Sequence, residues 1–188
     1  MFIQTEPTPN PASLKFLPAR TVMEQGTANF PDPRAAARSP LAERLFALPH
    51  VAGVFLGSDF ITVTKHEEAD WYHLKPAVLA AIMEHFTAGR PVLEPGALAE
   101  ADGAAAPGTD EEDDEIVSQI KELLETRVRP AVAMDGGDII FEDFADGIVY
   151  LHMQGSCSGC PSSTATLKAG IENMLRHYIP EVVEVRQV

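Results

Sequence analysis

Cysteine is almost missing: the 188 residues contain two. That is too few for a disulfide-stapled scaffold. No apolar run approaches the ~18 residues that a membrane helix needs. The start, Met1-Phe-Ile-Gln-Thr-Glu-Pro7, lacks the basic stretch and apolar core of a secretory signal. It also lacks the Arg-rich, acid-poor character of a transit peptide. These absences set the expectation of a bacterial cytoplasmic protein with no membrane partner.

Basic residues are missing from the middle of the chain. Residues 1–90 carry 8 basic and 9 acidic side chains, residues 91–115 carry 9 acidic and no basic ones, and residues 116–188 carry 6 basic and 10 acidic. The net charge of −14 therefore sits mainly in the centre. It argues against nucleic-acid binding, which needs a basic footprint. The run Asp110-Glu-Glu-Asp-Asp-Glu115 is the pattern of a solvated segment; steering a basic partner is the alternative.

Nearly half of the chain is apolar, enough for genuine cores, and the composition shift at its centre divides it in two. Residues 1–90 form an α+β unit. Phe2–Thr5 and Ser13–Leu17 are strand candidates separated by the turn Pro9-Asn-Pro11. Ser39-Pro40 starts a helix running to Leu48. Val51–Leu56 and Phe60–Thr64 pair across Gly57-Ser-Asp59. Lys75–Thr87 is a helix with Leu79, Ile82, Met83 and Phe86 on its apolar stripe, stopped at Gly89. Residues 91–113 are a linker of Gly, Ala, Pro and acid; about 23 flexible residues span roughly 25 Å.

Residues 114–188 form the second unit, ordered α-β-β-α-β. Ile116, Ile120, Leu123, Leu124 and Val128 recur at helical spacing. Asp135-Gly-Gly-Asp138 is a turn. Ile139–Phe144 and Ile148–Met153 make a hairpin across Ala145-Asp-Gly147. Pro161 opens the next helix, where a missing N–H costs nothing; Leu167, Ile171, Met174, Leu175 and Tyr178 form its apolar face. Val182–Val188 is the last strand. The expected fold class is α+β: two small sandwich-type domains of helices on a sheet.

Both cysteines lie in Gly155-Ser-Cys-Ser-Gly-Cys-Pro-Ser-Ser163. Cys157 and Cys160 stand on a short loop before a helix, where unpaired N–H groups and the helix dipole favour anions. Both are candidates for a lowered thiol pKa. Two thiolates are half of a four-sulfur site. The chain either performs dithiol redox chemistry alone or shares a metal centre with a second copy. Such a shared site lies near the surface and is labile. A Cys-x-x-Cys pair is a weak signal alone. A thioredoxin-type domain needs a βαβ unit ahead of it, and about 40 residues reading as helix and hairpin precede this one. A zinc site needs two further ligands, and His152 is the only nearby imidazole; strand alternation turns it outward. Met134 and Met153 read as core, and His66 and His73 as surface. Buried structural thiols do not suit flanks this small and polar.

Asp135-Gly-Gly-Asp138, the cysteine loop, Thr166-Leu-Lys-Ala-Gly-Ile-Glu172 and Pro180-Glu-Val182 together resemble the C-terminal domain of NifU-like (Nfu-type) iron–sulfur cluster proteins. Thr5-Glu-Pro-Thr-Pro-Asn-Pro11, Leu14-Lys-Phe16 and Gly26-Thr-Ala-Asn-Phe30 resemble the Nfu-type N-terminal domain. In Pro18-Ala-Arg20 the family pattern has glycine at position 19. The resemblance implies a non-enzymatic scaffold or carrier. A [4Fe–4S] cluster (iron and sulfide) would be bridged across a homodimer by Cys157 and Cys160 and passed to apo iron–sulfur proteins, with cluster-assembly proteins as further partners. It implies partner recognition by the first domain. Two other functions fit the residues: a thioredoxin-like dithiol oxidoreductase, and a docking module whose cysteines sense redox state.

Overall fold

In a computed structural model, residues 2–96, 111–158 and 161–188 are described. The chain divides into two compact units, Met1–Gly103 and Ala104–Val188. Both mix helices with an open sheet, as expected.

The first unit holds β1 (Gln4–Pro7), β2 (Ser13–Leu17), β3 (Ala28–Phe30), α1 (Pro40–Phe46), β4 (Val51–Leu56), β5 (Ile61–Lys65) and α2 (Trp71–Thr87). Its sheet runs β1-β2-β5-β4-β3, antiparallel throughout. β3 was not expected; three residues are too few to show a period. Ser39 caps α1 as expected, its hydroxyl accepting from the Ala42 amide at 3.1 Å. α2 begins four residues earlier than Lys75. Asp70 accepts from the Tyr72 amide at 2.9 Å; Pro76 lies inside the helix, where it has no N–H to give the Tyr72 carbonyl. The core joins Phe16, Phe30, Leu41, Leu45, Val54, Leu56, Ile61, Val63, Val78 and Ile82. Met83, expected on the buried stripe, is exposed.

The expected linker is not free at its first end. Val92 and Leu93 pack on this core. The Ser39 hydroxyl donates to the Val92 carbonyl at 2.6 Å, and the Glu94 amide to that of Arg38 at 2.9 Å. Its other end, from Glu111, is helical. Residues 97–110, including Asp110 of the acidic run, lie outside the described residues.

The second unit holds α3 (Glu111–Leu123), a π turn at Leu124–Val128, α4 (Arg129–Met134), β6 (Gly137–Ala145), β7 (Ile148–Gly155), α5 (Pro161–Tyr178) and β8 (Glu184–Gln187). The π turn ends two residues before Pro130, whose missing N–H cannot close an ordinary helical turn. β6 and β7 pair antiparallel, with a bulge between Phe141 and Asp143. Their two-residue connection is Asp146-Gly147, with φ of 52° and 77°, the backbone a type I′ hairpin requires. α5 then returns the chain so that β8 runs parallel to β7. Ile120, Leu124, Val128 and Val132, at four-residue spacing, share one core with Ile171 and Leu175 of α5, Ile179 just past its end, and Ile139, Val149, Leu151 and Val185 of the sheet. Met153 is core, but Met134 is 75% exposed, contrary to expectation. It is the last residue of α4, where the helix turns off the sheet toward the Asp135–Asp138 turn.

Candidate functional site

β7 delivers the cysteine loop. It leaves the sheet at Gly155, whose φ of 66° is left-handed. The Ser158 amide and hydroxyl both donate to the Gly155 carbonyl, at 3.2 and 3.0 Å. The loop therefore turns tightly before α5.

Its floor is the start of β6. Gly137 pairs with Gly155 in the β6–β7 ladder. The Ser156 amide donates to the Gly136 carbonyl at 3.2 Å, and the Ser156 hydroxyl donates to the Asp135 carbonyl. Gly136 needs glycine for its backbone, with φ of 79°. Gly137 needs it for space. A Cβ there would lie 2.6 Å from Cys157 Sγ and 2.8 Å from the Gln154 carbonyl oxygen. The sulfur thus rests against a bare Cα. On the other side, the Thr164 hydroxyl of α5 donates to the Cys157 carbonyl at 3.0 Å.

Cys157 is a free thiol, 6% exposed, and part of the second unit's apolar core. Its neighbour Ser158 is exposed. Burial pushes the Cys157 thiol up to about 11; the Ser156 hydrogen bond opposes this, and the nearby charges of Asp135 and Asp138 add to it. This corrects two expectations, a lowered pKa and a position near the surface. The helix-dipole argument neglected the apolar pocket and the two carboxylates, and desolvation dominates. Cys160 lies outside the described residues, as do its expected place at the helix start and its pKa.

Beneath the loop, Asp138 is 3% exposed. Arg129 holds its two oxygens from Nε and Nη2 at 2.8 and 2.9 Å, and reaches Glu125 from Nη1 at 2.8 and 2.6 Å. The Ile139 amide also donates to Asp138, at 2.8 Å. This network fixes the Asp135–Asp138 turn on which the cysteine loop rests. Sequence reasoning found the turn, though its second half, Gly137-Asp138, is already β6, and it missed the partners: Gly137 as a spacer, Ser156 and Thr164 as loop anchors, Arg129 as the counter-ion. The Gly-Gly pair was the one available signal.

His152 is half-buried with Nδ1 3.1 Å from the Val188 carbonyl oxygen, so it faces the chain end. His66 and His73 are exposed. Among the described residues, no group of three or more His, Cys, Asp or Glu side chains is placed to hold a metal ion. No described helix is long and apolar enough to cross a membrane.

Comparisons with known proteins agree along the chain. The family described as "Scaffold protein Nfu/NifU N terminal" matches residues 3–89, and that described as "NifU-like domain" matches residues 120–186. The human protein named "NFU1 iron-sulfur cluster scaffold homolog, mitochondrial" is 56% identical over 189 residues, covering 100% of this chain and 72% of that one. "NifU-like protein 4, mitochondrial" from Arabidopsis thaliana is 54% identical over 190 residues, covering 100% of this chain and 66% of that one. The chain thus spans about two thirds of the length of these relatives. A solution structure of a NifU-like protein from Saccharomyces cerevisiae matches at a TM-score of 0.45 and 26% identity, over 50% of this chain and 85% of that one; a score that low adds nothing to the case.

The mitochondrial names of relatives 54–56% identical over the full chain overturn the expectation of a bacterial cytoplasm. That expectation rested on the lack of a signal in the first few residues, and an address is a separable segment that the folded domains do not encode. On both domain matches and full-length identity, the chain belongs to the Nfu/NifU family, with an Nfu-type N-terminal domain and a NifU-like C-terminal domain.

Proposed function

We propose that this chain is an iron–sulfur cluster scaffold and carrier. A [4Fe–4S] cluster is its cargo, held between two copies by Cys157 and Cys160 of each and passed to apo iron–sulfur proteins. Residues 1–90 carry partner recognition, residues 91–113 join the units, and residues 114–188 hold the cluster. The chain catalyses no covalent reaction of its own. Cluster-assembly proteins are the partners upstream.

The carrying observation is the pairing of family with ligand supply. The chain has two cysteines in all, and the described residues offer no nearby cluster of further ligands. Four thiolates are needed for a four-iron cluster, and two chains related by a twofold axis supply four. Separation of the chains removes half of the ligands, which suits a protein that gives its cargo away.

The dithiol oxidoreductase reading fares worse. Attack and metal ligation both need thiolate, so the buried Cys157 thiol weighs on the two readings alike; the scaffold names of the relatives favour the carrier.

The test is anaerobic reconstitution with iron and sulfide, on wild type and on Cys157→Ser and Cys160→Ser. The wild type binds both elements and restores an apo-protein that requires a [4Fe–4S] centre. Each serine variant loses binding, since a hydroxyl is a poor ligand for this soft-ligand site. Full iron retention by either variant refutes the ligand assignment. Cysteine-dependent disulfide reduction without iron would favour the oxidoreductase.

A further inference from the structure

A ligand sulfur buried in an apolar core cannot meet iron where it stands. Cys157 is 6% exposed, with its sulfur over the bare Cα of Gly137. Three contacts fasten the loop in that position. The Ser156 hydroxyl and amide hold the Asp135 and Gly136 carbonyls. The Thr164 hydroxyl holds the carbonyl of Cys157 itself. Gly155, left-handed at the strand exit, supplies a pivot.

We propose that Gly137 is a positioning residue: its bare Cα is a seat that stores the Cys157 sulfur inside the second unit, and unseating is a separate step that weakens cluster binding and so favours release. This rests on the carrier reading above. The apparent affinity of a ligand falls by the fraction of protein in the competent state. Each subunit contributes one seated sulfur, so a bridged cluster meets that reduction twice. When the cluster leaves, the sulfur returns to a site already shaped for it. The seat therefore weakens cargo binding without any change in the ligands.

The space at Gly137 is taken by the sulfur and by the Gln154 carbonyl oxygen. An alanine Cβ would stand 2.6 Å from Sγ and 3.2 Å from the Cys157 Cβ, so the thiol could not remain. The same Cβ would also press on the Gln154 carbonyl at 2.8 Å, which puts the β6–β7 ladder at risk. Ser156→Ala and Thr164→Val remove anchors without adding bulk in the seat.

The test uses the full-length apo protein carrying Cys160→Ser, so that Cys157 is the sole thiol. Iodoacetamide labelling is followed at one fixed pH without oxygen, in native buffer and in urea. Native labelling is slower than unfolded labelling by more than about tenfold, because the reagent meets only the open fraction. Ser156→Ala and Thr164→Val each speed native labelling about three- to tenfold, the value of one hydrogen bond. Gly137→Ala, where it folds, speeds it at least as much. In the chain with both cysteines, each anchor variant holds its cluster against a chelator more tightly, by the square of its labelling factor.

Native labelling at the unfolded rate overturns the seat whatever the iron result. Anchor variants that label like wild type overturn the assignment of the anchors. Faster labelling with unchanged chelator resistance overturns the effect on affinity. Protected thiols in a chain that never takes up iron overturn the carrier reading and leave the seat standing as a structural feature.

Discussion

Arg129 grips Asp138 with two parallel hydrogen bonds, 2.8 and 2.9 Å long, across the base of the turn that carries the cysteine loop. Asp138 is almost fully buried and Arg129 about one-third exposed. Removing the arginine strands a buried carboxylate, whereas removing both charges does not. Arg129→Met destabilises the second unit by about 3 kcal/mol, and adding Asp138→Asn restores much of it. Native-state hydrogen exchange at the Ile139 amide, which donates to Asp138, reads both changes. Equal protection in wild type and Arg129→Met would show that the pair carries no stability.

The Cys157 thiol titrates late. Burial places it at about 11, above the ordinary 9.0. The folded state therefore keeps its proton where the unfolded chain has lost it. The sign follows from proton binding: stability from this group is intact below pH 9 and is lost as pH rises through about 11. Thiolate absorbance in the Cys160→Ser chain rises near that upper value. Urea melts of the second unit show a loss of stability between these limits that Cys157→Ala lacks.

His85 gives the first unit the opposite sensitivity. It is 1% exposed, its Nε2 lies 3.1 Å from the Pro91 carbonyl oxygen, and its Nδ1 has no hydrogen-bond partner among the described residues. Burial lowers its pKa below 6.5, the Pro91 hydrogen bond opposes that, and Arg44 and Arg90 lower it further. A depressed histidine leaves the unfolded chain binding more protons in acid, so stability present above pH 6.5 is lost as pH falls below it. The single tryptophan, Trp71, lies in this unit. Its fluorescence follows urea unfolding at pH 7.5 and pH 5. The midpoint drops in wild type and holds nearly constant in His85→Gln.

Ala19 occupies a left-handed backbone position, with φ of 57°. An L-residue there costs about 1–2 kcal/mol, partly offset by the unfolded-state entropy of glycine. Ala19→Gly stabilises the first unit by about 0.5–1 kcal/mol, read as a rise in the Trp71 unfolding midpoint.

Local chemistry carried most of the fold. Ser39-Pro40, Asp146-Gly147 and Pro161 each act on the backbone within a few residues, so their elements begin and turn where the sequence places them. The failures are tertiary. Met83 and Met134 obey their helices' chemistry, yet both are exposed. The two glycines of the Asp135–Asp138 turn look alike in sequence. One serves a positive φ and the other makes room for a sulfur 20 residues on. Small polar flanks suggested an exposed Cys157, because the pocket that buries it is built by β6 rather than by the loop. Cys157 and Cys160 could be singled out without tertiary information, since they stand three positions apart and the chain has no other cysteine.

On the carrier reading, one chain supplies half of a cluster site. Native mass spectrometry after anaerobic reconstitution addresses it directly. The expected species is two chains with one [4Fe–4S] unit, about four irons and four sulfides per dimer, absent from Cys157→Ser. A cluster of the same size carried by a single chain, or by the serine variant, would contradict it.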